Sequence, residues 1–434
     1  MKRLLVATLA VSALALAACQ PKATTDGSEG YGPDPKMPEA KTTPLPTVNA
    51  RQAIGWAAGA APTPAAGLKV ARFAEGLNHP RWLYRLPNGD VLVSESNSPP
   101  REGKGIEAMV AKNMMKKAGA GVPSPNRIIL LRDADGDGVA EMKTTLIEGL
   151  NSPSGMVLVG DQLFVANTDS VVVFPYVEGA TKIEGTGRKI ADLPATGSNG
   201  HWARNIIASP DGTKLYVAVG SSSNIADEGL EVEKDRAAIH QMNLDGSGHR
   251  IFASGLRNAN GLEFEPVTGL LWAAVNERDM LGPDTPPDYM TAVRDGGFYG
   301  WPWSYWGQNV DSRVEPANPE MVAKALKPSY GLGAHTASLG LHFYGGGLLP
   351  ETWRGGAFIA QHGSWNRDPP SGYRVIYVPF VAGNPSGQPV EVLGGFLNAK
   401  NEAQGRPVAI IEDKAGALLV SDDVGNVIWR VTPG

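Results

Sequence analysis

Residues 201–222 read HWARNIIASPDGTKLYVAVGSS: a polar start, a short apolar run, an Asp-Gly turn, a second apolar run, then small polar residues. Asp211-Gly212 suits the positive backbone angles of a tight hairpin, so the two runs read as paired strands. The pattern recurs at 79–96 (HPRWLYRLPNGDVLVSES), 152–168 (SPSGMVLVGDQLFVANT), 257–277 (RNANGLEFEPVTGLLWAAVNE), 337–364 (ASLGLHFYGGGLLPETWRGGAFIAQHGS) and 406–423 (RPVAIIEDKAGALLVSDD). Starts fall roughly 50–80 residues apart, which leaves room for four strands per unit. Six units, each with an apolar face to cover, close radially; the fold class predicted is all-β, a six-bladed β-propeller. A β-sandwich with long loops is the alternative. Two insertions interrupt the repeat. Residues 106–118 (IEAMVAKNMMKKA) have helical spacing, and Asp279 to about Lys327, rich in Pro, Trp and Tyr, is expected to cap one face.

Outside the repeat, the first residues bear on the compartment. Lys2 and Arg3 precede an apolar run from Leu4 to Ala18. It is shorter than the roughly 20 residues a spanning helix needs and suits a signal-peptide core, residues 1–18. The run ends Leu16-Ala17-Ala18-Cys19, which resembles a bacterial lipobox. That predicts lipidation of Cys19 and a cell-envelope protein facing the periplasm, with Gln20 favouring the outer membrane. Cys19 is the only cysteine, so an intrachain disulfide or thiolate site is excluded. Residues 19–68, rich in Pro, Thr, Ala and Gly, are expected to be a flexible tether, leaving 69–434 for the propeller. The 53 Gly and 34 Pro fit a turn-rich β domain. A net charge of −5 with interspersed signs gives no basic stripe for nucleic acid.

In a propeller the unit starts converge at one mouth of the axis. They carry His201, Arg204, Arg257, Asn258, His335 and Arg406, and the paired strands end in Glu277, His362 and Asp422. Arginine forks match carboxylates, so the set predicts a mouth that grips a flat anion with several carboxylates. Pairing of the same arginines with Asp and Glu to tie blades together is the structural alternative. His201 is the candidate general base, because an imidazole that titrates near about 6.5 can accept a hydroxyl proton at neutral pH.

The stretches 200–212 (GHWARNIIASPDG), 254–266 (SGLRNANGLEFEP), 275–290 (VNERDMLGPDTPPDYM), 295–307 (DGGFYGWPWSYWG), 360–367 (AQHGSWNR) and 405–410 (GRPVAI) make the chain resemble the glucose/sorbosone dehydrogenase family. These are six-bladed propellers that use pyrroloquinoline quinone (PQQ), and the likeness is greatest to the sorbosone branch. The resemblance implies oxidation of a sugar or sugar aldehyde to a lactone or acid, with electrons passed to a cytochrome or quinone. It implies His201 as base and Arg257, Asn258 and Arg406 as cofactor ligands, with Arg204 beside them. The family's second clamping arginine has no match here, and its lysine is missing from the expected stretch, where His362 and Arg367 are the available candidates. It also implies calcium held by the carbonyls of Gly282-Pro283, and a second calcium near Asp288 and Tyr299.

A separate calcium candidate is 133–141, DADGDGVAE. Asp133, Asp135 and Asp137 alternate ahead of the turn residue Gly138 as in the front half of an EF-hand, but Thr144 stands at the twelfth position. Trp301, Trp303 and Trp306 suit either packing or a sugar-stacking platform. No G-x-G-x-x-G on a strand-to-helix turn, Walker loop, H-E-x-x-H or G-x-S-x-G is present. The residues alone leave open a metal-dependent lactonase, which would need acidic ligands at the axis, and a non-catalytic propeller that binds sugar or protein.

Overall fold

The structure, a computed structural model, describes residues 21–41, 48–100 and 106–434. The signal-peptide residues and Cys19 lie outside that set. Six sheets of four or five antiparallel strands follow one another in chain order, and each begins where a sequence unit begins. The first strands are Pro80–Arg85, Met156–Val159, Ile206–Ala208, Asn258–Phe264, Ser338–Phe343 and Pro407–Glu412, in blades 1 to 6. Each pairs with the second apolar run of its unit, as expected from the hairpin signal.

The blades hold together as wedges. A separate cluster of buried apolar residues fills each of the six boundaries, such as Leu92, Leu130, Val165 and Phe174 between blades 1 and 2 and Trp272, Leu332, Ile359 and Val378 between blades 4 and 5. Each fully buried side chain of this kind contributes roughly 1.5–3 kcal/mol before entropy is counted. At the axis, first strands approach so closely that side chains are excluded. A β-carbon on Gly340 would lie 2.6 Å from the Val408 carbonyl oxygen.

Ring closure uses the N-terminal side of the chain. Leu68–Glu75 pairs antiparallel with Val427–Pro433 as the outer strand of blade 6. The expected flexible tether is not what the described residues show. Tyr31–Gly32 adds a fifth strand to blade 4, and Thr63–Pro64 adds one to blade 5. Ahead of the first, Thr24 and Thr25 bond to Asp284, and between the two Trp56 Nε1 donates to Asp422. These bonds join the arm to residues 259 to 366 positions away and are mostly polar, so apolar periodicity gives no sign of them.

The helix expected at 106–118 forms as α1, Ile106–Lys117. The expected cap from Asp279 to Lys327 is only partly irregular, since Pro287–Ala292 is the third strand of blade 4. The remainder climbs beside blade 3, where Ser254 donates to Gly297 and Tyr299 to Ser254.

Candidate active site

Strand direction sorts the polar groups between two ends of the ring. First strands begin, and second strands end, at one end, called here the mouth. In blades 1, 4, 5 and 6 the register slips just below it, between Pro80 and Leu83, Ala259 and Leu262, Ser338 and Leu341, and Pro407 and Ile410. Such bulges re-aim side chains.

His201 stands at the start of blade 3. Its Nδ1 lies 2.9 Å from both the carbonyl and the hydroxyl oxygen of Ser221. The Ser221 hydroxyl donates its own proton to the Ser223 carbonyl, so both partners of Nδ1 act as acceptors. The network therefore assigns the proton to Nδ1 and leaves Nε2 with a bare lone pair. No protein group among the described residues bonds Nε2. Burial, reinforced by Arg257, lowers the His201 pKa well below 6.5 and keeps the ring neutral. A β-carbon on Gly220 would lie 2.5 Å from both His201 Cβ and Asn258 Oδ1, so these two side chains flank one glycine.

Arg257 lies beside them and is tightly held. It donates to the Glu277 carbonyl at 2.8 Å, to Asn224 Oδ1 at 2.9 Å and to Asp279 Oδ2 at 2.8 Å. Burial alone would raise Asp279, but Arg257 and then His335 outweigh it, so that carboxylate stays ionised. His201 and Arg257 line an open cavity of about 420 Å³.

Across the mouth, Arg406 donates to the carbonyls of His362 at 2.9 Å and Gly363 at 2.7 Å and lies over the Tyr373 ring. Among the described residues its guanidinium has no carboxylate partner, although its backbone amide donates to Asp422. His362 sits 2.9 Å from Asp423, and burial, then Arg406, lower its pKa to about 3, so it is neutral. Asp423 also binds Arg81 at 2.5 Å, and Arg81 reaches over the Trp202 ring. Arg81, Asp279 and Asp423 were missed in the sequence. Arg81 carries the same signal as Arg257, a charged residue at a unit start.

Several expectations fail on geometry. Arg204 is fully buried and binds the carbonyls of Pro194, His201 and Ala203, so it supports the His201 turn and has no surface for a cofactor. Arg367 is likewise buried and bonds to Thr25, Pro283, Asp284 and Pro369. The mouth is consequently less cationic than expected. The Gly282 carbonyl already faces His335 Nε2 at 2.8 Å, and the Pro283 carbonyl accepts from Arg367. Both oxygens assigned to a cofactor calcium point at cationic or proton-bearing groups. Asp288 accepts from Glu277, Thr336 and Ser338, whereas the Tyr299 hydroxyl binds Ala292 and Arg294. The two do not converge. Trp301 and Trp306 are buried and serve packing. Asp133, Asp135 and Asp137 do come together, with Glu141, all ligand oxygens within 4.8 Å. That loop joins the third and fourth strands of blade 1, at the end opposite the mouth.

A profile of the TrAA12-like family matches residues 62–286 and 310–433. The chain belongs to this family. An uncharacterized protein of Borreliella burgdorferi is 30% identical over 297 residues, covering 66% of this chain and 77% of that one. The pyrroloquinoline quinone-dependent pyranose dehydrogenase of Coprinopsis cinerea is 47% identical over 127 residues, covering 25% of this chain and 17% of that one. The holo form of its PQQ domain superposes with a TM-score of 0.68 at 20% identity, covering 86% of this chain and 97% of that one. Among the relatives and structural neighbours are an aldose sugar dehydrogenase of Escherichia coli, the PQQ-dependent pyranose dehydrogenase and a PQQ-bound aldose sugar dehydrogenase of Streptomyces coelicolor, and none of these singles out the sorbosone branch.

The TrAA12-like mouth fits a flat, multiply anionic quinone by the chemistry of its donors. Arg406 offers a cation without a carboxylate counterpart, Arg257 and Asn258 offer fixed polar groups, and His201 Nε2 offers an acceptor. Calcium fits the four carboxylates of 133–141 by donor type, whereas the Gly282 and Pro283 carbonyls already face His335 and Arg367.

Proposed function

We propose that this chain oxidises a sugar or sugar aldehyde, of aldose or sorbosone type, to a lactone or acid at the mouth of the propeller, with PQQ as cofactor. The observation that carries the reading is the His201 network. A base must present a bare, neutral nitrogen to the substrate hydroxyl, and Ser221 together with burial produces that state. Bound PQQ supplies the acceptor for the hydride that leaves the substrate carbon. His201 takes the hydroxyl proton on Nε2, and Ser221 stabilises the resulting imidazolium through Nδ1. Arg406, Arg257 and Asn258 hold and orient the cofactor, and Asp279 keeps Arg257 from swinging.

In the same reading Cys19 carries a lipid, and the chain sits in the envelope facing the periplasm. Electrons then leave through a separate cytochrome or quinone. Ala23 and Thr24 bond to Asp368 and Asp284, beside the mouth. Calcium at 133–141 would be structural, because that loop lies at the other end of the ring.

The test is reconstitution of purified protein with PQQ and calcium, followed by dye reduction with aldoses and sorbosone. Turnover that requires PQQ is expected. PQQ uptake without turnover of any sugar would overturn the catalytic reading.

A further inference from the structure

The cavity that holds His201 has a second wall whose charge is opposite to the cofactor side. Residues 221–228 leave the end of blade 3's second strand and fold over the mouth. They are pinned from both sides: Ser221 holds His201, and Asn224 accepts from Arg257, Trp301 and the Asp279 amide. This loop is therefore fixed to the groups that do the chemistry.

Its far part presents Asp227 and Glu228 to the cavity, beside the hydroxyls of Ser198, Ser222 and Ser223. Both carboxylates are exposed. Glu228 accepts from the Ser198 amide and the Ser222 hydroxyl, and the Ser198 bond leads the causes that hold its pKa below the usual range. Asp227 accepts from the amides of Asn224 and Ile225. Amides and hydroxyls orient these carboxylates without neutralising them. The cations nearby are already engaged, since Arg257 is paired with Asp279 and Arg236 is buried against Glu233 and Asn199.

We propose that Asp227 and Glu228 set the substrate class by charge: the cavity accepts neutral sugars, favours amino sugars in their ammonium form, and disfavours uronic acids. The proposal rests on the dehydrogenase reading of the same site. An anionic cofactor and two free carboxylates flank the sugar, so a substrate carboxylate meets negative charge on both sides. An ammonium group gains a partner on the loop side. Hydroxyl-rich walls serve all three sugars alike and carry no discrimination. Because both carboxylates face solvent, each alters the ratio by about fivefold at most in water, and salt screens the effect over a Debye length of about 8–10 Å.

The experiment compares kcat/KM of the PQQ-loaded protein for a hexose, its 2-amino-2-deoxy analogue at a pH where the amine is protonated, and the corresponding hexuronate. At low salt the expected order is amino sugar, neutral sugar, uronate, with about a tenfold span that shrinks at 0.5 M salt. Asp227→Asn and Glu228→Gln, singly and together, should each flatten the order. Salt dependence in the wild type gives the same reading without any substitution, so a misfolded variant does not spoil it. A second arm measures binding of the three sugars to the purified protein by saturation-transfer NMR. Graded binding without turnover would overturn the dehydrogenase reading and leave the charge preference of the cavity standing as one of binding alone. Turnover with equal rates for all three sugars, or a salt-independent order, would overturn the inference alone. Absence of binding by all three would overturn both.

Discussion

Two histidines at opposite ends of the ring show how the same strands serve different purposes. His201, at the mouth, touches no carboxylate among the described residues and is held neutral by burial and Arg257. His342, where the first strand of blade 5 ends, lies between Glu263 of blade 4 at 3.2 Å and Glu412 of blade 6 at 3.0 Å. Burial would lower it, but Glu263 and then Glu412 raise its pKa to about 10. One end keeps a proton acceptor open; the other uses a charge to clamp three blades. Similar depth in the ring thus yields opposite protonation, and the neighbours decide which.

The largest expected effect tests the mouth histidine. His201→Ala should lower kcat by about 10³-fold, within the usual 10²–10⁴ for general-base removal, while PQQ affinity changes little. The acid limb of the wild-type pH profile should lie below pH 6.5, because the base is already deprotonated there. A limb at or above 6.5, or a variant that keeps its rate, would break the contrast from the catalytic side.

The other end responds in stability. His342→Gln leaves two carboxylates facing each other and should cost on the order of 3 kcal/mol, or about 4 °C in melting temperature for a ring of this size, with kcat unchanged. The linkage sign follows from the raised pKa. Stabilisation by His342 is complete below about pH 6.5 and fades as pH rises through about 10. Chemical denaturation between pH 6 and 10 should show wild-type stability falling toward that of the variant. A pH-independent difference would remove the clamp.

A smaller effect sharpens which arginines belong to the site. Arg406→Ala should weaken PQQ binding by roughly 10- to 100-fold, the range for one charge-assisted hydrogen bond. Arg367→Ala should lower the melting temperature and leave PQQ affinity per folded molecule unchanged. The smallest concerns the acidic loop at the end opposite the mouth: Asp133→Asn with Asp135→Asn should reduce calcium-dependent stabilisation by a few degrees without altering cofactor affinity.

The ring was legible because its signals are local. Asn88-Gly89 and Asp211-Gly212 mark hairpins, and each apolar run sits within one unit. His201, Arg257 and Arg406 were legible once the units were aligned, since unit starts converge. Which arginine faces the mouth was not. Arg204 and Arg257 both stand at unit starts, yet the first folds back onto three backbone carbonyls within ten residues of it, those of Pro194, His201 and Ala203. Arg81 escaped notice although it sits at the start of blade 1, and its partner Asp423 lies some 340 residues away. The arm before Leu68 was misread because remote main-chain and polar bonds hold it, and composition does not reveal such bonds.

The central claim is that side chains from separate blades form one quinone site. Equilibrium titration of the purified protein with PQQ, followed by quenching of tryptophan emission, tests it most directly. The account predicts one PQQ per chain, weakened by Arg406→Ala and by Arg257→Ala but not by Arg367→Ala. No saturable uptake, or equal affinity in all three variants, would contradict it.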